Sequence, residues 1–190
     1  MEKYAYKIPH KTNIAKGILE WAKKEKFWSG AGELKNRVIA GDDGDGFLTP
    51  SMSRTVPSEL YKDCPAIKIL AECGDILPGQ IQVFKTAPFE MYKFHNDGTG
   101  YKETLIPKAA SVNLLLQETR ANFLFYDNEH VDKERVTFYE HQYDRDYLYL
   151  LNVQQQHGWF NYEGDRYILI IRIGSPDYTE IVSKLKKKFS

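Results

Sequence analysis

Two side chains that commonly bind metals stand two residues apart in the stretch Phe89-Glu90-Met91-Tyr92-Lys93-Phe94-His95-Asn96-Asp97. In an extended chain, residues i and i+2 point to the same side. His95 and Asp97 can therefore aim an imidazole nitrogen and a carboxylate oxygen at one point, which suits a divalent metal. The best candidate for a third ligand is His157, in Gln154-Gln155-Gln156-His157-Gly158-Trp159. Two imidazoles and one carboxylate leave coordination positions open for other ligands. A bare His-x-Asp carries little specificity in a chain with 5 His and 26 acidic residues. A second copy, His130-Val131-Asp132, lies in a charged run that reads as a solvated turn. That copy precedes His157 by only 27 residues, against 62 for His95, which leaves more room for intervening strands. The plainer reading of the first copy makes His95 an ordinary strand histidine and Asp97 a cap on the turn Gly98-Thr99-Gly100.

The company of the first copy matters more than the motif. Nine residues after His157, Arg166 opens the run Arg-Tyr-Ile-Leu-Ile-Ile-Arg-Ile. This arrangement resembles the Fe(II)/2-oxoglutarate-dependent oxygenases, and among them the prolyl-hydroxylase-like group, over about residues 80–175. In that group an Arg at the start of the last barrel strand, about ten residues after the distal His, grips the distal carboxylate of 2-oxoglutarate. The resemblance implies that His95, Asp97 and His157 hold Fe(II) and that Arg166 holds 2-oxoglutarate. It implies hydroxylation of a C–H bond in a peptide side chain or a small metabolite, with O2 consumed and succinate and CO2 released. An acidic residue at Asp97 implies hydroxylation rather than halogenation, because no coordination position is freed for chloride. Two other readings stay open: a non-catalytic jelly-roll binding module, and a cupin-like metalloenzyme that does not use 2-oxoglutarate. Binding of both Fe(II) and 2-oxoglutarate, of neither, or of metal alone separates the three.

Strand alternation assigns faces around this site. Arg166, Ile168, Ile170 and Arg172 share one face; Tyr167, Leu169, Ile171 and Ile173 share the other. Arg166 is favoured as the anchor by its spacing, with Arg172 as the fallback. Its sequence neighbours Glu163 and Asp165 sit at a turn, so no acid is placed to pair with it. Ser111, Asn113 and Leu115 form the more polar face of the 110–117 segment. Ser111 or Asn113 is expected to donate to 2-oxoglutarate, as is Tyr92 from the neighbouring strand. Trp159 and Phe160 either shield the metal or belong to the core.

The elements that must position these residues change character along the chain. Residues 1–10 read as a strand or arm. Ile14, Ile18, Trp21 and Ala22 fall at helical spacing within 13–27, with Thr12 or Asn13 as cap. Residues 29–58 read as loop, with turn clusters at 29–32 and 41–46. The acidic run 41–46 lacks the Glu of an EF-hand loop and is read as a surface loop, with an active-site lid as its functional version. A helix is expected within 58–72, at least from Pro65, ending at Gly74, followed by a turn at Leu77-Pro78-Gly79. From Ile81 onward short β-branched and aromatic runs predict eight strands: 81–85, 89–95, 110–117, 122–126, 135–139, 147–152, 153–157 and 166–173. A helix from Ser175-Pro176 through Lys188 closes the chain. The expected fold is mainly β with flanking helices, a double-stranded β-helix or jelly roll. One domain is expected over 1–190: a helical and loop layer (1–75), a jelly-roll core (80–175) and a terminal helix (176–190).

The composition is that of an ordinary soluble globular domain. Formal net charge is +0, from 26 basic and 26 acidic residues, which disfavours a generic nucleic-acid or membrane-surface binder. No apolar run has the length of a membrane span, and the first residues lack a signal-peptide core. Cys64 and Cys73 suggest neither a disulfide framework nor a zinc site, and a reducing cytoplasm is the expected location. The sequence leaves the oligomeric state open.

Overall fold

The structure is a computed structural model that describes residues 2–24, 52–95, 110–117, 119–132, 135–174 and 177–190. Two antiparallel sheets carry the fold. The larger has six strands in the order β1 (Ala5–Lys11), β8 (Tyr147–Leu151), β5 (Ala110–Leu115), β10 (Arg166–Ile173), β3 (Ile76–Thr86) and β2 (Met52–Thr55). The smaller has four in the order β4 (Met91–His95), β9 (His157–Asn161), β6 (Ala121–Asp132) and β7 (Arg135–His141). This is the double-stranded β-helix, mainly β with flanking helices. No helix among the described residues is long and apolar enough to cross a membrane.

The large sheet separates two buried clusters, because alternate residues of each strand face opposite ways. On its outer side Val112, Leu114, Leu150, Leu169 and Ile171 pack with α1 (Ala15–Lys24), α2 (Pro65–Cys73) and α3 (Tyr178–Phe189). Ile18, Ala66, Leu70, Ile181 and Leu185 are the fully buried helix contributions. On its inner side Tyr149 and Leu151 meet Phe123 and Phe125 of the small sheet.

The helices start and stop for local reasons. Pro65 occupies the first turn of α2, where its missing N–H costs nothing. Gly74 ends α2 against β10; a Cβ there would lie 2.7 Å from Ile173 Cγ2. Asp177 caps α3 by accepting from the Thr179 and Glu180 amides at 2.7 and 3.3 Å. The cap places the start of this helix just beyond the Ser175-Pro176 expected from sequence. Lys186, Lys187 and Lys188 sit in its last turn, where the helix dipole favours cations. Cys64 and Cys73 are buried and free.

Five local expectations are corrected. Residues 52–55, read as loop, form β2, an edge strand held by backbone pairing to β3 rather than by an apolar pattern. Leu77-Pro78-Gly79 lies inside β3, not in a turn. There Ile171 pairs with Ile81 and Ile173 with Ile76, so an irregularity in the ladder absorbs the proline and glycine. The strand expected from 89 begins at Met91, since Phe89 has φ of 63° and is 79% exposed. His130-Val131-Asp132 is the end of β6, paired to β7, rather than a solvated turn. Residues 153–156 form a turn, held by bonds from the Val153 and Gln155 amides to Leu151 and Asn152 carbonyls. His157 therefore opens a strand instead of closing one. The 41–46 run lies outside the described residues.

Candidate active site

His157 is the first residue of β9, and its ring is buried in the inner space between the sheets. Its Nδ1 lies 2.9 Å from the Gln155 carbonyl. A carbonyl can only accept, so Nδ1 carries the proton and Nε2 carries the lone pair, the state a metal ligand requires. The turn at 153–156 thus sets the tautomer. Phe123 stacks on the ring at 5.5 Å and Phe125 tilts against it at 6.0 Å, fixing its plane. His95 ends β4 directly opposite His157 in the antiparallel register. Directly opposed residues have Cβ atoms about 4.5–5.5 Å apart and share a face. Between Tyr92 and His95 the register shifts, so that three steps on β4 span two on β9. Such bulges occur beside active sites, where they re-aim a strand. Asp97 lies outside the described residues. Among the described residues no three His, Cys, Asp or Glu side chains form a metal-holding group.

The rival pair His130 and Asp132 is displaced from this point. Pairing of β6 with β9 runs from Ala121 to Phe125, which sits opposite His157. His130 is five residues further along the strand, about 17 Å in extended chain.

Arg166 opens β10 and is 4% exposed. Its guanidinium lies beside the Tyr143 hydroxyl and 5.9 Å from the centre of the Trp159 ring. Asn113 Nδ2 donates to the same hydroxyl at 3.2 Å, and Ser111 Oγ donates to Asn113 Oδ1 at 3.0 Å. Ser111, Asn113 and Arg166 thus occupy the inner face, as alternation predicted. The Tyr143 oxygen accepts from the Asn113 amide, so its own proton is left to donate elsewhere. Burial pushes the Arg166 pKa down and the Tyr143 pKa up. Guanidinium is nonetheless charged in proteins. Among the described residues no carboxylate meets it. Asp165 pairs with Lys85 at 2.8 Å, and Asp144 with Lys7 at 2.7 Å. A buried charge without its counter-ion costs several kcal/mol. Arg172, the fallback anchor, is half-buried and lies 5.8 Å from the centre of the Phe84 ring.

No protein-family model matches the sequence, and no curated protein matches it. Solved structures do match. A prolyl hydroxylase from Trichoplax adhaerens, in complex with a hypoxia inducible factor oxygen degradation domain peptide fragment, superposes with a TM-score of 0.56 at 14% identity. The match covers 94% of this chain and 85% of that one. A Pseudomonas putida prolyl-4-hydroxylase gives 0.54 at 9% identity, covering 90% of each chain. The chain has the fold of the prolyl hydroxylases. The resemblance read from the His95, Asp97, His157 and Arg166 spacing is borne out at the level of fold.

Within this prolyl-hydroxylase fold three residues matter that sequence reasoning missed. Tyr143, in the turn between β7 and β8, supplies the hydroxyl at Arg166. His141, the last residue of β7, is 5% exposed and sits edge-on to the Tyr143 and Tyr149 rings at 4.4 and 4.7 Å. Its Nε2 is buried without a hydrogen-bond partner. Asn161, fully buried, donates to the carbonyls of Thr86, Ala87 and Gly164 at 3.3, 2.7 and 2.8 Å. It ties the exit of β3 to the turn that launches Arg166. One sequence signal existed for His141: the alternation of 137–141 carries it onto the face of Tyr139. Tyr92, expected beside Asn113, is instead in the small sheet, opposite Trp159, because β4 pairs with β9 and not with β5.

Proposed function

We propose that the protein is an Fe(II)- and 2-oxoglutarate-dependent oxygenase that hydroxylates a C–H bond of a peptide side chain or small metabolite. The observation that carries this reading is the buried Arg166. It is a cation with no carboxylate partner among the described residues, beside the Tyr143 hydroxyl, at the start of the strand that follows His157. Such a site suits one end of a dicarboxylate, bound through the guanidinium fork.

The residues fit the metal as well. His157 presents a lone pair on Nε2, and the register sets His95 opposite it. Asp97, two residues beyond His95, is the proposed carboxylate ligand. Bound Fe(II) would supply the redox chemistry that couples O2 and 2-oxoglutarate to hydroxylation, yielding succinate and CO2. The chain's own residues bind and orient. Arg166, the Tyr143 hydroxyl and the Asn113 amide hold the distal carboxylate of 2-oxoglutarate, and Ser111 orients Asn113. Trp159 and Phe123 line the space between this pocket and His157 and limit water there. Tyr92 is a further proposed donor. The peptide held by the Trichoplax enzyme supports a peptide as one substrate class.

Anaerobic titration with Fe(II) and 2-oxoglutarate tests this. A weak visible charge-transfer band is expected only when both are present, and His157→Ala should remove it. Metal binding that is indifferent to 2-oxoglutarate would instead favour a metalloenzyme of another kind, and binding of neither would favour a non-catalytic module.

A further inference from the structure

His141 is a polar side chain that nothing so far employs. The register pairs it with Phe123, so it lies on the inner face of β7. Its ring is wedged edge-on between Tyr143 and Tyr149, contacts that fix its plane without engaging a ring nitrogen. Nε2 is buried and lacks a hydrogen-bond partner. Buried polar atoms in folded proteins are almost always satisfied, so an unsatisfied one beside Arg166 and Tyr143 is open to a ligand group.

The surroundings say which ligand. Tyr143, in edge contact with the imidazole, carries the hydroxyl that accepts from Asn113 and lies beside Arg166. Arg166 is close enough to act on His141 electrostatically. Among the described residues the acidic group that also acts on it, Asp144, is engaged elsewhere. It pairs with Lys7 and accepts from the Tyr149 hydroxyl at 2.9 Å. β5 contributes the uncharged Ser111 and Asn113, and β6 the apolar Phe123. Among the described residues, therefore, the neighbourhood holds one buried cation and no free carboxylate to meet it.

We infer that His141 is a binding residue of the same pocket, donating from Nε2–H to the distal carboxylate held by Arg166. This deepens the proposed function and rests on it. The neutral imidazole suits the task. It adds a directional donor without adding a second buried positive charge, which would repel Arg166. Neither ring nitrogen is committed within the protein, so the proton can sit on Nε2 when the carboxylate arrives.

The test uses the full chain loaded with Zn(II) as a redox-silent metal and 2-oxoglutarate as the probe, by calorimetry. His141→Phe keeps a flat ring between the two tyrosines and removes the donor. It should weaken 2-oxoglutarate binding by about 10- to 100-fold, as expected for a hydrogen bond to a charged group, while Zn(II) affinity is unchanged. His141→Gln, which places an amide N–H near Nε2, should recover most of the loss. Nitrogen NMR of the wild-type ring gives a readout that survives a misfolded variant. The resonance absent from His141→Gln should show a protonated Nε2 in the complex. A bare Nε2 in the complex, or wild-type affinity in His141→Phe while Arg166→Ala fails to bind, overturns the inference and leaves the site reading intact. Wild-type affinity in Arg166→Ala as well overturns both.

Discussion

β5 and β10 run side by side in the large sheet and show two different faces. The outer face is a seamless apolar surface: Val112, Leu114, Leu169 and Ile171 are fully buried against the helices. The inner face of the same strands carries Ser111, Asn113 and Arg166, equally dry but polar and charged. Burial alone therefore does not distinguish core from site. What differs is whether the buried groups complete one another. The outer face is finished by packing. The inner face is a relay of donors, Ser111 to Asn113 to Tyr143, ending beside the Arg166 guanidinium, a charge with no carboxylate opposite it among the described residues.

The comparison breaks most visibly on the outer face. Leu169→Ala should destabilise the protein by about 2–5 kcal/mol in urea unfolding, through lost transfer energy and the cavity left behind. Its effect on 2-oxoglutarate affinity should stay within about twofold, since the side chain points away from the pocket. A large affinity loss in a folded Leu169→Ala protein would mean that the two faces are not independent.

A smaller effect sharpens the inner face. Burial, with help from the Arg166 charge and against Asp144, lowers the His141 pKa to about 4 from 6.5. The unfolded chain thus takes up this proton first. Stability from a neutral buried His141 is complete above pH 6.5 and is lost as pH falls toward 4. Between pH 7 and pH 5 the loss should be about 2 kcal/mol. Unfolding free energies at the two pH values should show this slope in the wild type and a shallower one in His141→Phe. Equal slopes would show that the ring is not held neutral.

Much of the inner face was legible because β alternation is a local rule. It placed Ser111, Asn113 and Arg166 together, and the nine-residue step from His157 to Arg166 spans one strand and one turn. The partners supplied by tertiary structure were not legible. Tyr143 comes from a turn 23 residues before Arg166, and no local pattern aims it there. Strand boundaries failed where backbone pairing overrode composition. β2 has no apolar period, β3 runs through a proline and a glycine, and the polar Gln154-Gln155-Gln156 run forms a turn that orients His157. The sheet that Tyr92 joins was not legible either, because nothing in a single strand states it.

Among the described residues Arg166 has no counter-ion, and 2-oxoglutarate is proposed to supply it. Arg166→Met tests this proposal most directly, with unfolding free energy measured with metal present, with and without 2-oxoglutarate. Removing an uncompensated buried charge should leave the ligand-free variant at least as stable as wild type, and by up to about 4 kcal/mol more stable. Ligand at about 100 times its dissociation constant should stabilise wild type by about 2.7 kcal/mol and the variant not at all. A less stable variant that 2-oxoglutarate stabilises as much as wild type would contradict the account.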